Sequence, residues 1–155
     1  MADNYIPVKI VGIVPAGSGV AVFLGNDEKT FSLHVDQAVG MSIALLLKGE
    51  KRERPLTHDL INLIFKAFSI SVERIIINDL RNDTYFARLT LRADNEVHKK
   101  ITEIDARPSD CLAIALETGK PIFIAPQVWN QVSDITSLLE DMKHKFQQPE
   151  DPEGE

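Results

Sequence analysis

Two short segments of this chain carry the residue types that acid–base and phosphate chemistry require. Arg54-Pro55-Leu56-Thr57-His58-Asp59-Leu60 and Arg107-Pro108-Ser109-Asp110-Cys111-Leu112 share a format: an Arg-Pro pair, a hydroxyl residue, an aspartate and the start of an apolar run. One reading is helix capping. Proline suits a first helical turn, Thr57 is a good N-cap, and Asp59 and Asp110 complement the positive end of the helix dipole. The other reading is chemical. Two helix starts, each with free N–H groups and an arginine (Arg54, Arg107), can converge on an anion, with Thr57 and Ser109 adding hydroxyl contacts. An acid beside each start, Asp59 and Asp110, could hold a divalent cation between protein and phosphate, as metal-assisted phosphodiester hydrolysis requires. To share one ion, those carboxylates must approach within about 4–6 Å, given metal–oxygen distances of ~2.0–2.6 Å. His58 is the general-base candidate, because only imidazole titrates near neutrality unperturbed. A first-turn histidine can equally be a surface or hydrogen-bonding residue.

The other titratable groups are less pointed. Glu103 and Asp105 lie two apart on a strand and share a face, either as metal-binding carboxylates or as a salt-bridge face opposite Lys99 or Arg107. Cys111, one turn into an apolar helix, reads as buried and inert. His34 lies on a polar strand face and should meet solvent, while His98 and His144 have no partner in the sequence. Several chemistries lack their parts. The chain has no Gly-x-x-x-x-Gly-Lys-Ser/Thr, Gly-x-Gly-x-x-Gly, Gly-x-Ser-x-Gly, Cys-x-x-Cys or His-Glu-x-x-His string. Aromatics are 6%, with no basic-aromatic stripe of the RNA-recognition type.

The elements that must position these groups follow from periodicity. Tyr5–Val14, Val20–Leu24 and Lys29–Val35 read as an antiparallel meander, the third with Phe31, Leu33 and Val35 on one face. Ala38–Lys48 is a nearly all-apolar helix expected to be central. A second helix, Thr57 to about Ser69, puts Leu60, Ile61, Ile64, Phe65 and Phe68 on one stripe. Strands return at Val72–Leu80, Thr84–Arg92 (Tyr85, Ala87, Leu89 and Leu91 inward) and Glu96–Ile104. A third helix spans Pro108–Glu117 and stops at Gly119. Pro121–Ile124 is a short buried strand, and Asp134–Met142 a last helix with a narrow apolar face. Strands broken by helices without strict alternation predict an α+β fold. The expected architecture is an antiparallel or mixed sheet of six to seven strands with three to four helices.

Composition sets the class. With 155 residues, 44% hydrophobic and 26% charged, the chain predicts one soluble globular domain over residues 1–146. Its single cysteine permits no intrachain disulfide and fits a reducing cytoplasm. No apolar run approaches membrane-spanning length. Net charge is −6, but Glu150, Asp151, Glu153 and Glu155 crowd into the last nine residues. Residues 147–155 therefore read as a disordered acidic tail, and the body carries 17 basic against 19 acidic residues. The densest basic stretch, Lys48–Arg54, is a modest patch of a kind usually found in solvated loops.

The two Arg-Pro strings also carry a resemblance. Together with Val72-Glu73-Arg74-Ile75-Ile76-Ile77-Asn78-Asp79-Leu80, Thr84-Tyr85-Phe86-Ala87-Arg88-Leu89 and Ile104-Asp105-Ala106 before Arg107, they resemble the bifunctional nuclease family in order and spacing. The likeness covers roughly residues 5–125. It implies a compact α+β domain, often a homodimer, in a family largely of uncharacterised bacterial proteins with plant members that degrade DNA and RNA. The shared positions are Arg54, Pro55, Thr57, His58, Asp59, Asp105, Arg107, Pro108, Ser109 and Asp110. Two departures stand out: relatives often have glycine at Asp36 and an acid at Val39. If that acid belongs to the active site, activity here depends on Asp36 taking its place. Ala106 and Cys111 also differ, by small residues that alter packing more than chemistry.

The resulting expectation is a nuclease of low sequence specificity acting on DNA and RNA. Asp59, Asp110 and Asp105 would hold Mg²⁺ or Mn²⁺, His58 would activate water, and Arg54 and Arg107 would steady the scissile phosphate. The alternative is a non-catalytic module that binds a small anion or a protein partner through the same helix starts.

Overall fold

A computed structural model describes residues 4–50 and 52–147. The chain runs β1 (Ile6–Ala16), β2 (Gly19–Gly25), β3 (Thr30–Asp36), α1 (Gln37–Lys48), α2 (Thr57–Ala67), β4 (Ile70–Arg81), β5 (Thr84–Asp94) and β6 (Lys99–Ala106). It continues with α3 (Pro108–Thr118), β7 (Ile122–Ile124), α4 (Pro126–Trp129) and α5 (Thr136–Gln147). The fold is α+β: one seven-stranded mixed sheet in the order β3-β2-β1-β7-β4-β5-β6. The hairpins are antiparallel, as tight turns require. Asn82 and Asp83, both at positive φ, close β4 to β5 in the left-handed conformation that two-residue hairpins favour. The expected tail begins at the last residue of α5, and residues 148–155 lie outside the described part of the chain.

The three-residue strand β7 holds the sheet's centre. It pairs antiparallel with β1 (Ile6 opposite Ile124) and parallel with β4 (Ile75 opposite Ile122). Bonds from Ile75 N–H to Pro121 O (3.1 Å) and from Ala125 N–H to Ile77 O (2.9 Å) extend this seam. The sheet curls strongly: Phe31 on β3 lies 6.0 Å from Tyr85 on β5 between ring centroids, although four strands separate β3 from β5 in the sheet order. Inside the curl, Val22, Leu24, Leu33, Ile75, Ile77 and Leu89 pack with Ile43 of α1 and Leu112 of α3. On the outer face, Leu139 of α5 lies against Gly12 of β1.

Two helical expectations change. Helix α1 is not central: Gly40 and Ile43 are its buried residues, and Met41 and Leu47 are exposed. Val39 and Leu46 pack against the core from its edge, and the helix lies close on β2, where a Cβ on Gly40 would sit 2.5 Å from Val20 Cγ2. The stripe on α2 is split: Ile61 and Phe65 pack against the core, and Leu60, Ile64 and Phe68 do not. Leu60 is 53% and Phe68 74% exposed, with Leu63 and Ile64 beside them, and the buried residue of this helix is His58.

Candidate active site at the helix starts

The two Arg-Pro segments start their helices in different ways. In α3, Arg107 is the N-cap and Pro108 the first helical residue. In α2 the N-cap is Leu56 and Thr57 is already the first helical residue, so the expected Thr57 cap is displaced by one position. What the segments share is an aspartate at the third helical position. Asp59 reaches back to accept from the Leu56 N–H at 2.7 Å, serving an otherwise orphaned donor. Asp110 instead accepts from Arg107 Nε (2.9 Å) and Nη2 (3.2 Å).

Around Asp59 the structure gathers groups that the motif did not contain. Arg52, in the segment between α1 and α2, donates through Nε to Asp59 Oδ2 at 2.8 Å and through Nη2 to Asp59 Oδ1. The same Nη2 reaches Glu117 Oε2, in the last turn of α3, at 3.3 Å. His58 is 8% exposed, with Nε2 at 3.5 Å from Asp59 Oδ1 and 3.7 Å from Glu117 Oε2, and that nitrogen makes no hydrogen bond. Among the described residues, His58, Asp59 and Glu117 are the group whose ligand atoms come within 4.8 Å of one another. The two acids are driven apart in acidity. Hydrogen bonds from the Arg52 guanidinium hold Asp59 well below the usual carboxylate range, whereas burial, and then neighbouring Asp59, push Glu117 up.

A cleft of about 330 Å³ adjoins this cluster and is lined by the first turns of three helices: Ala38 and Val39 of α1, Thr57 and His58 of α2, and Asp110 of α3. The two motif segments therefore meet. On the other side, a recess of about 450 Å³ opens onto Arg52, Asp59, Lys66 and Glu117. His58 stands between the two. Arg107, bonded to the cleft-lining Asp110, has Nη1 3.8 Å from Asp36 Oδ2, while Asp36 caps α1 by accepting from the Val39 N–H at 3.0 Å. Asp36 thus places an acid at the start of α1 where Val39 supplies none.

The remaining candidates fall elsewhere. Arg54 and Thr57 are exposed, and Ser109 is buried at the second position of α3. Asp105, opposite Arg88 in the β5–β6 register, lies on the strand face where Arg88 bonds Glu103 at 3.0 Å. Neither Asp105 nor Asp110 is among the groups around Asp59, so the three expected metal-ligating aspartates do not form one cluster. Glu103 finds its partner in Arg88, not in Lys99 or Arg107. Cys111 is fully buried, and burial pushes its thiol up to about 12. Glu117 was missed because it lies far from the histidine in sequence, and Arg52, two residues before the first motif, because the basic stretch around it reads as a solvated loop. The one local signal for Glu117 is position: a carboxylate in a helix's last turn opposes the dipole, so it is expected to have a cationic partner.

An α+β domain whose helix starts converge on a buried His–Asp pair is the class that this architecture defines. Residues 22–136 match the family described as the bifunctional nuclease domain. The chain is also 31% identical to Uncharacterized protein MT1877 of Mycobacterium tuberculosis (strain CDC 1551 / Oshkosh), over 91% of this chain and 90% of the relative. Uncharacterized protein Rv1829 of Mycobacterium tuberculosis (strain ATCC 25618 / H37Rv) matches to the same extent. The chain belongs to the bifunctional nuclease domain family. No helix among the described residues is long and apolar enough to cross a membrane.

Proposed function

We propose that this protein hydrolyses phosphodiester bonds in DNA and RNA with low sequence specificity, at the cluster formed by His58, Asp59 and Glu117. The observation that carries the reading is the buried His58, whose unbonded Nε2 faces two carboxylates beside the cleft where the motif segments meet. Hydrolysis of a phosphodiester needs a proton acceptor for the attacking water and cationic donors for the phosphoryl oxygens. His58 with Asp59 at 3.5 Å supplies the first, since the carboxylate stabilises the imidazolium that forms. Arg107, exposed beside the cleft-lining Asp110, and Arg54, exposed just before α2, supply the second. Ser109, being buried, supports the α3 start from behind and does not touch substrate.

A divalent cation, Mg²⁺ or Mn²⁺, belongs to this reading. The Asp59 and Glu117 carboxylates suit such an ion, which when bound would supply Lewis acidity that offsets phosphate charge and eases deprotonation of water. The test is incubation of purified protein with single-stranded DNA and RNA, with Mg²⁺ or Mn²⁺ and with EDTA. Metal-dependent cleavage lost in His58→Ala and Asp59→Asn is the expected result. Cleavage that persists in both variants comes from a contaminant and overturns the proposal.

One observation favours a partner as well. Leu56, Leu60, Leu63 and Ile64 form an exposed apolar stripe on the side of α2 away from His58. We place a second copy of the chain there, which makes the protein a homodimer with both clefts beside the interface. Sedimentation of the protein and of Leu60→Glu distinguishes this from a monomer. Dimerisation without any turnover would support the alternative of a binding module.

A further inference from the structure

We propose that His58, Asp59 and Glu117 bind one first-row transition dication, Mn²⁺ or Zn²⁺ in preference to Mg²⁺, and that the ion takes the place of the Arg52 guanidinium. Three observations converge. First, the donors are already spaced for an ion. Metal–ligand distances of ~2.0–2.2 Å put neighbouring donors about 2.8–3.6 Å apart; His58 Nε2 lies 3.5 Å from Asp59 Oδ1, inside that range, and 3.7 Å from Glu117 Oε2, just beyond it. Second, His58 is more than nine-tenths buried with Nε2 aimed into the cluster and no hydrogen bond, a state that burial makes costly. Third, the cluster already holds a cation. Arg52 bonds both carboxylates and leaves the Nε2 lone pair unbonded, whereas a metal ion takes a lone pair from all three atoms.

The imidazole decides the preference. Carboxylates alone suit Mg²⁺, but a nitrogen ligand favours the softer transition ions. The recess that opens onto Arg52, Asp59 and Glu117 gives the ion a route in and the displaced guanidinium a route out. Once displaced, Arg52 faces that recess as a further phosphate-binding cation. With the ion bound, His58 would be a ligand and no longer the proton acceptor for the attacking water, and that role would pass to the carboxylate oxygens not on the ion.

This inference names the cofactor of the proposed nuclease and so rests on that reading, but ion binding is read without turnover. The full chain, stripped with EDTA and then freed of it, is titrated with MnCl₂, ZnCl₂ and MgCl₂ by calorimetry. Expected are one Mn²⁺ or Zn²⁺ per chain and Mg²⁺ at least about tenfold weaker. His58→Ala and the conservative Glu117→Gln each weaken Mn²⁺ binding about tenfold or more, Arg52→Gln tightens it, and Glu103→Gln leaves it unchanged. Circular dichroism confirms that each variant is folded. Absence of saturable binding, Mg²⁺ binding as tight as Mn²⁺, an affinity unmoved by Glu117→Gln, or no tightening in Arg52→Gln would each overturn the site. Ion binding without cleavage refutes only the nuclease. Cleavage without ion binding at these residues refutes only the site.

Discussion

Replacing Arg52 by glutamine takes the cation out of the cluster between α2 and α3 and leaves Asp59 and Glu117 facing each other. Arg52, Asp59 and Glu117 are 16%, 12% and 18% exposed at their side chains, between a surface pair and a buried one. Exposed ion pairs contribute under about 1 kcal/mol, and breaking a fully buried one costs ~3–5 kcal/mol. Three charge-assisted bonds at this intermediate depth place the loss at about 2 kcal/mol. For a domain of this size, that lowers the melting temperature by about 4–8 °C. Adding Glu117→Gln to Arg52→Gln removes the uncompensated repulsion and returns about 1 kcal/mol. The assay is urea unfolding at pH 7 in EDTA, so that no ion replaces the arginine. A loss under about 0.5 kcal/mol would show that the pair behaves as a surface contact and would refute the charge argument.

The same acids predict opposite pH slopes. Asp59 is lowered on folding, so its contribution is present above about 3.9 and is lost as pH falls through its depressed value; Asp59→Asn flattens unfolding stability below that point. Glu117 is raised, so its contribution is present below about 4.3 and is lost as pH rises through its elevated value; Glu117→Gln removes that slope in urea midpoints measured from pH 4 upward. Cys111 should resist a disulfide reagent at pH 8 in the folded protein and react promptly in urea, because burial keeps its thiol protonated. Gly40→Ala should destabilise by about 1–2 kcal/mol, the overpacking against Val20 outweighing the roughly 1 kcal/mol gain in helix propensity; thermal unfolding checks it, and a stabilised variant would contradict the close approach of α1 to β2.

The local patterns were largely legible. Phe31, Leu33 and Val35 alternate in sequence and are buried together on β3. Gly119 stops α3 at φ 67°, as a glycine just past a helix should. Non-local pairing was not legible: nothing in Ile122-Phe123-Ile124 says that it separates β1 from β4. The stripe of α2 was legible only in part, because periodicity reports a helix but not how wide its buried face is: Ile61 and Phe65 pack inward with His58, while Leu60, Ile64 and Phe68 face out. At the site, the motif located His58 and Asp59. Arg52 joins them from the segment just before α2, whereas Glu117 joins through an α2–α3 contact that spacing along the chain does not encode. The four-residue α4 went unread, being too short for a periodic signal.

The central position of β7 also bears on how the chain comes together during synthesis. Until Ile124 has left the ribosome, β1 and β4 have no neighbour on their facing edges, so the β1–β3 and β4–β6 hairpin groups emerge as separate, sticky-edged halves. Closing them requires a segment more than a hundred residues downstream of β1, a high-separation event that slows folding and prolongs exposure to aggregation. Nascent chains stalled shortly after α3 should therefore recruit chaperones, whereas chains extended beyond α4 should release them.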